Sequence, residues 1–175
     1  MCNDGGVDAR TLLLDTARRD VAQDGTLPSL DRLARETGLS KGGVTHHFPT
    51  KASLVNALII GAIEVTDREM AAAAVEGRAV EKWLALSSES TVGDTSVSTL
   101  ARIALDARAS LGEITDAIAA AAERWEALLA AELGSPAKAR IVRLVGDGML
   151  LSTLIDDRAP TLTLDELMAV LGGRR

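Results

Sequence analysis

Several side chains between residues 41 and 51 can bind an anion or hydrogen-bond to the edge of a base. Cationic and hydrogen-bonding groups stand there at Lys41, Thr45, His46, His47 and Lys51. Ammonium groups donate to phosphate oxygens, and polar side chains can bond base edges in a groove of DNA. Such side chains recognise DNA only when a rigid element holds them on one exposed face.

The residues before and around this cluster predict two short helices joined by a tight turn. Leu30 and Leu33 recur at helical spacing, and Gly38 can adopt the positive φ that ends a helix and turns the chain. Ser29 and Ser40 can each accept a hydrogen bond from the free N–H groups at a helix start. Both serines therefore mark predicted helix starts.

The two predicted helices, at about 29–37 and 40–47, have the layout of a helix-turn-helix. Ala34 supplies a small residue where they cross, and Val44 supplies an apolar side chain that holds the second helix to the first. In this geometry the second helix enters the major groove of DNA. Any helical protein can contain two capped helices joined by a glycine, so spacing alone also allows a purely structural role.

The segment resembles the tetracycline-repressor (TetR) family of bacterial one-component regulators, whose usual wording here is close to S-K-G-T-L-Y-x-H-F-x-S-K. The chain matches that wording at Ser40, Lys41, Gly42, His47, Phe48 and Lys51. The resemblance extends upstream, to I-L-x-A-A and a closing glycine, at Leu13, Leu14, Ala17 and Gly25. Gly43 and Thr45 replace the usual Thr and Tyr, and Asp31 stands where the family often has a basic or polar residue.

The resemblance implies an all-α fold with two domains. A three-helix, helix-turn-helix DNA-binding domain at residues 1–51 would be joined by a long helix to a helical effector-binding and dimerisation domain at residues 52–175. The implied function is a homodimeric, ligand-responsive transcriptional regulator, expected to be a repressor. Its implied partners are double-stranded palindromic operator DNA and an unidentified small-molecule effector.

Eight residues are expected to form the DNA-binding surface. Ser29 and Lys51 lie at helix starts, where N–H groups and charge favour an anion, and should contact the DNA backbone. Gly42 and Gly43 cost about 1 kcal/mol each in helix propensity but allow close approach to phosphates. The full set is Ser29, Lys41, Gly42, Gly43, Thr45, His46, His47 and Lys51.

A second function stays open, because the first domain is weakly basic. Residues 1–51 hold seven Lys and Arg against seven Asp and Glu, whereas residues 52–175 carry the whole net charge of −6. Asp31, Gly43 and Thr45 are also unusual for a reader of DNA. The alternative is a helical small-molecule-binding or adaptor protein whose degenerate helix-turn-helix binds DNA weakly or not at all.

Leu, Ala and Val dominate the 175 residues and repeat at three and four positions, which predicts helices throughout. With no apolar run of membrane length and no leader, a cytoplasmic protein without a membrane partner is expected. Cys2 is the only cysteine, which argues against disulfides and thiolate zinc sites. His46 and His47 would point about 100° apart on a helix, so no metal site, cofactor or enzyme activity is predicted.

Further helices are predicted outside the helix-turn-helix, at about 8–24, 50–74, 79–86 and 97–108. Thr50 is the candidate cap of the long one, which follows Pro49. The tract 87–98, rich in Ser, Thr and Gly, predicts a loop, and residues 110–112 are expected to break the helical pattern.

Two long amphipathic helices are predicted at about 113–133 and from Pro136 onward. They can pack as an internal antiparallel hairpin or, as the resemblance implies, pair with their twins in a four-helix dimer interface. The predicted interface residues are Ile118, Trp125, Leu144, Gly148, Leu151 and Ile155.

The larger side chains of the C-terminal part are candidates for lining an effector pocket. They are Met70, Trp83, Trp125 and Met149. Tryptophans in helices belong to the core more often than to ligand cages, so plain core packing is the alternative.

Overall fold

The computed structural model describes residues 8–88, 91–92, 95–96, 103, 111–155 and 162–172. Within them the fold is all-α, as predicted, apart from two very short strands. The helices are α1 (Ala9–Asp24), α2 (Leu30–Thr37), α3 (Lys41–His47), α4 (Lys51–Val75), α5 (Ala79–Ser88), α6 (Leu111–Leu133), α7 (Pro136–Ile155) and α8 (Leu164–Val170).

Local capping explains where α1 and α4 begin or end. Gly25 closes α1 with a φ of 64°, in the left-handed region that glycine adopts without strain. At the start of α4, the Thr50 hydroxyl accepts the Ser53 N–H at 3.0 Å. The Ser53 hydroxyl accepts the Thr50 N–H in return at 3.2 Å. The predicted cap at Thr50 is confirmed as a reciprocal capping box.

Two sequence expectations need correction, and a third falls almost entirely outside the described residues. The predicted loop at 87–98 instead contains the last two residues of α5 and an antiparallel pair, β1 (Thr91–Val92) and β2 (Thr95–Ser96). The predicted break at 110–112 is wrong at its last two positions, because α6 already begins at Leu111. The helix expected at 97–108 lies outside the described residues except for Ile103, which is helical and buried.

The short helix α8 was not predicted from the sequence. Thr163 and Glu166 form a capping box that starts it, with the Thr163 hydroxyl accepting the Glu166 N–H at 3.3 Å. Leu167 anchors α8 because its side chain is 2% exposed and belongs to the core beside α5. A capping box followed by so few residues leaves little periodic pattern to detect.

Two hydrophobic clusters organise the molecule, and α4 contributes to both. The first joins α1–α4, with Ile103 and Ile114, around Leu13, Leu33, Val44, Phe48, Leu54 and Leu58. The second joins the later helices around Met70, Val80, Trp83, Leu129, Val142 and Met149. In the second part α6 packs against α7 and α4, and α5 packs against α7. The division after residue 51 stays a prediction, since residues of α4 complete the first cluster.

A side chain from α6 caps the start of α5. The Glu132 carboxylate accepts the backbone N–H of Ala79 at 2.5 Å and that of Val80 at 3.2 Å. These N–H groups have no partner within α5, because the first turn of a helix lacks preceding carbonyls. Glu132 thus stabilises the helix start and ties α5 to α6.

Among the described helices, none is by itself both long and apolar enough to cross a membrane. Only α3 and α4 taken together, bent by 56° at their junction, meet the length and composition required.

Replacing Glu132 with alanine is expected to lower the free energy of unfolding by about 1 kcal/mol, the usual cost of losing a helix cap. Urea denaturation measures the change. Glu64 is an exposed carboxylate on α4, and Glu64→Ala should change the stability by less than about 0.5 kcal/mol. Equal losses in the two variants would mean that the Glu132 contact does not stabilise α5.

Candidate nucleic-acid interface

Local hydrogen bonds and one glycine set the turn between α2 and α3. The Ser29 hydroxyl accepts the Arg32 N–H at 3.1 Å, and the Ser40 hydroxyl accepts the Gly43 N–H at 3.0 Å. Gly38 ends α2 with a φ of 72°. The predicted caps and turn glycine are confirmed, and with them the helix-turn-helix geometry.

Val44 fixes the rotation of α3 about its axis. It is the buried residue of this helix, at 0% exposure, and it packs in the first cluster with Leu33 and Phe48. Burying a valine stabilises a fold by about 1.5–3 kcal/mol, enough to select one face of a seven-residue helix. The other faces of α3 remain at the surface.

The predicted DNA-binding residues lie on α3 and at two neighbouring helix starts. Ser29 is exposed just before α2, and Lys51 is exposed as the first residue of α4. The others are exposed or half-buried on α3: Lys41, Gly42, Gly43, Thr45, His46 and His47. Their surface placement leaves them accessible to a partner, and their contact with DNA stays a prediction.

The hydroxyl of Thr45 is oriented by its own helix. Its Oγ1 lies 3.0 Å from the carbonyl oxygen of Lys41 and 3.2 Å from that of Gly42, and donates its proton to them. With the proton used inside α3, the hydroxyl offers a partner only its acceptor lone pairs. The base groups that can use such an acceptor in the major groove are the amino groups of cytosine and adenine.

Neither glycine of α3 is required by the packing of the described residues. A Cβ added at Gly42 would approach only the Ser40 hydroxyl, at 3.9 Å. One added at Gly43 would lie 3.4 Å from that hydroxyl and 4.0 Å from the Leu39 Cβ, which are ordinary contacts. Both glycines therefore lower helix propensity without relieving a clash inside the protomer.

Arg32 forms ion pairs with three carboxylates of α1 and α2. Its guanidinium lies 2.6 Å from Glu36, 2.9 Å from Asp24 and 3.3 Å from Asp20. The hydrogen bond from Arg32 lowers the pKa of Glu36, whereas burial raises the pKa of Asp20. This network ties α2 to α1 and leaves the Arg32 charge largely neutralised for any anionic partner.

Arg10 is a residue of this region that sequence analysis missed. Its guanidinium lies over the Phe48 ring, 5.5 Å from the centroid, and so places a cation of α1 beside the end of α3. A single exposed arginine on a predicted helix gives no spacing signal, and only the fold reveals its neighbour.

The four predicted effector residues meet in the second cluster. Met70, Trp83 and Met149 are buried, and Trp125 is half-buried with its ring 5.3 Å from that of Trp83. The Trp83 N–H donates to the Val142 carbonyl at 3.2 Å. The Trp125 N–H donates to the Asp67 carboxylate at 2.7 Å.

The two glycines of α7 have different surroundings. A Cβ at Gly146 would overlap the Trp83 indole nitrogen, so Gly146 is needed for the close approach of α5 and α7. A Cβ at Gly148 would meet no atom within 4 Å.

Of the other predicted dimer residues, Ile118, Leu144 and Leu151 are 46%, 54% and 58% exposed. The Ile155 side chain lies outside the described part.

Two surface cavities lie outside the tryptophan cluster. One, of about 340 Å³, is between α4 and α5 and includes Glu69, Arg78 and Glu81. The other, of about 520 Å³, is between α6 and α7 and includes Ala122 and Arg140. Neither is lined by any of the four predicted effector residues.

Within the described part of the chain, no group of three or more His, Cys, Asp or Glu could hold a metal ion.

The helix-turn-helix has a counterpart among known protein families. Residues 13–58 match the model of the family described as bacterial regulatory proteins, tetR family. The N-terminal helix-turn-helix is therefore of the tetR type. The matched segment includes all of α2 and α3 and the start of α4, and it covers 46 of the 175 residues.

Two solved structures of one protein resemble this chain over most of its length. The multidrug-binding protein EbrR in complex with imidazole is 25% identical, with a TM-score of 0.68, and the match covers 95% of each chain. EbrR in complex with malachite green is 27% identical, with a TM-score of 0.59, covering 86% of this chain and 90% of that one. No curated protein sequence matches.

Substituting alanine at Gly43 is expected to raise the free energy of unfolding by up to about 1 kcal/mol, because helix propensity improves and no clash arises. Amide hydrogen exchange should also slow in α3. Val44→Ala is the matched control on the same helix, and it should lower stability because it empties part of the core. A loss of stability in Gly43→Ala would contradict the open surroundings of this glycine.

Proposed function

We propose that this chain is a homodimeric, ligand-responsive transcriptional repressor that acts in the cytoplasm on palindromic operator DNA, without catalysis, cofactor or metal. The observation that carries the proposal is the placement of α3: Val44 holds one face in the core, and the polar faces project from the protein. The family of the N-terminal helices supports DNA as the partner.

In the proposed complex α3 lies in the major groove of operator DNA. Lys41, Thr45, His46 and His47 contact bases or nearby phosphates, with the Thr45 oxygen accepting from an amino group. Ser29 and Lys51 contact the backbone from helix starts, where unpaired N–H groups favour an anion. Gly42 and Gly43 let the α3 backbone approach the phosphates closely.

Dimerisation is proposed to bury the exposed apolar face of α7. Ile141, Leu144, Gly148 and Leu151 recur at spacings of three and four, and Ile155 continues the series. The three large side chains among the first four are 48%, 54% and 58% exposed. Such a stripe is the seam along which helices pack in bundles, and Gly148 provides room for a close crossing.

The effector site is proposed to form at the tryptophan cluster. Both structural neighbours are complexes of EbrR with a small molecule that contains an aromatic ring, imidazole or malachite green. Trp83 and Trp125 offer two large aromatic surfaces, with Met70 and Met149 as adaptable neighbours. A ligand that enters between the rings would displace Met70, which lies on α4, and α4 begins at the DNA-binding surface with Lys51.

Lys51→Ala is expected to weaken binding to all DNA sequences alike and to flatten the log–log salt dependence by about one unit, because one phosphate contact is lost. Titrations of DNA from upstream of the protein's own gene at several salt concentrations measure this. Arg68 is exposed about 25 Å further along α4. Arg68→Ala should leave the slope unchanged, and an unchanged slope in Lys51→Ala would remove Lys51 from the interface.

Placing leucine at Gly148 is expected to overpack the proposed seam at a cost of about 1–3 kcal/mol. Sedimentation at low micromolar concentration should then detect monomers, with weaker operator binding because the half-sites are uncoupled. Ala71 is exposed on α4, and Ala71→Leu should leave the dimer intact. A Gly148→Leu protein that stays dimeric and binds normally would contradict the seam.

A further inference from the structure

The cation that begins α3 already has a partner within the protein. The Lys41 ammonium lies 2.9 Å from the Asp31 carboxylate, across the turn between α2 and α3. Both side chains are mostly in solvent, 73% and 60% exposed. Lys41 is also the only Lys or Arg of α3, so the one permanently charged side chain of the helix is engaged in this ion pair.

This ion pair is not needed to hold the helix-turn-helix together. Exposed ion pairs contribute little to stability, because water solvates both charges well. Gly38, the Ser40 cap and the buried Val44 already determine where α3 starts and how it is rotated. The effect of Asp31 is therefore expected on what α3 binds.

We propose that Asp31 is a positioning residue that competes with DNA for Lys41 and lowers the affinity for all DNA sequences. The inference rests on the proposed function. When α3 docks, the Lys41 ammonium must exchange the carboxylate for a phosphate or base, and Asp31 is left facing a polyanion. Because α3 carries a single Lys or Arg, its binding releases few counterions from the DNA. The affinity for DNA therefore depends only weakly on the salt concentration.

The charge balance of the first domain makes this competition effective. Arg32 is already shared among three carboxylates, and Arg18 pairs with Asp15 at 2.7 Å. Arg18, Arg32 and Lys41 are three of the seven Lys and Arg in residues 1–51, so freeing the ammonium at the start of α3 adds substantially to the positive charge available to DNA.

Asp31→Asn tests the proposal, since asparagine keeps the shape and removes the charge. Binding to DNA from upstream of the protein's own gene should tighten about three- to tenfold at 0.1 M salt, and the salt slope should steepen by about one unit. Glu64→Gln makes the same change in net charge at an exposed site on α4 and should alter neither quantity. Circular dichroism verifies that each variant keeps its helix content.

A double variant separates competition for Lys41 from general repulsion. In a Lys41→Ala background, Asp31→Asn should bring a clearly smaller gain, because the cation for which Asp31 competes is gone and only the repulsion between the carboxylate and DNA is relieved. A gain of the same size in this background would overturn the proposal. The proposal would also be overturned if Asp31→Asn discriminated less well between base pairs at one operator position. That result would mean that the Asp31 carboxylate accepts a hydrogen bond from a cytosine amino group.

Failure of this inference is distinguishable from failure of the proposed function. If wild type and Asp31→Asn bind DNA with equal affinity, the function stands and the role of Asp31 is wrong. If neither binds at concentrations that saturate ordinary non-specific binding, about 1 mM or below, both are wrong.

Discussion

The helix α4 is packed into both hydrophobic clusters, and the rest of the molecule depends on that double anchorage. Leu54 and Leu58 lie in the first cluster, and Met70 lies in the second. Leu54 and Met70 are about 24 Å apart along the helix. Since α4 is one continuous helix between the two clusters, we propose that it links the tryptophan cluster to the predicted DNA-binding surface.

The DNA-binding surface combines firm geometry with weak charge. Caps, a turn glycine and the Val44 contact orient α3 without help from any ion pair. Two of the nearby cations form ion pairs with carboxylates, Arg32 with three of them and Lys41 with Asp31. In the proposed complex, specificity comes from short-range contacts of α3, and long-range attraction to DNA is expected to be small.

Local features of the fold could be predicted from the sequence, whereas pairings between distant residues could not. The Ser40 and Thr50 hydroxyls each accept a hydrogen bond from an N–H group three residues further along the chain, so both caps could be predicted from the sequence. Helical periodicity placed Ile114 and Ile118 on one face, but only the fold distinguishes a 3% exposed residue from a 46% exposed one. The ion pair of Asp31 and Lys41 likewise depends on how two helices cross.

In the proposed complex, two copies of α3 read adjacent turns of one operator. A hydroxyl-radical footprint on DNA from upstream of the protein's own gene tests it most directly. We expect two protected half-sites on one face of the duplex, with centres about 34–36 Å apart or a multiple of that. A single unpaired protected site would contradict the dimer, and no protection at saturating protein would contradict the reading of DNA by α3.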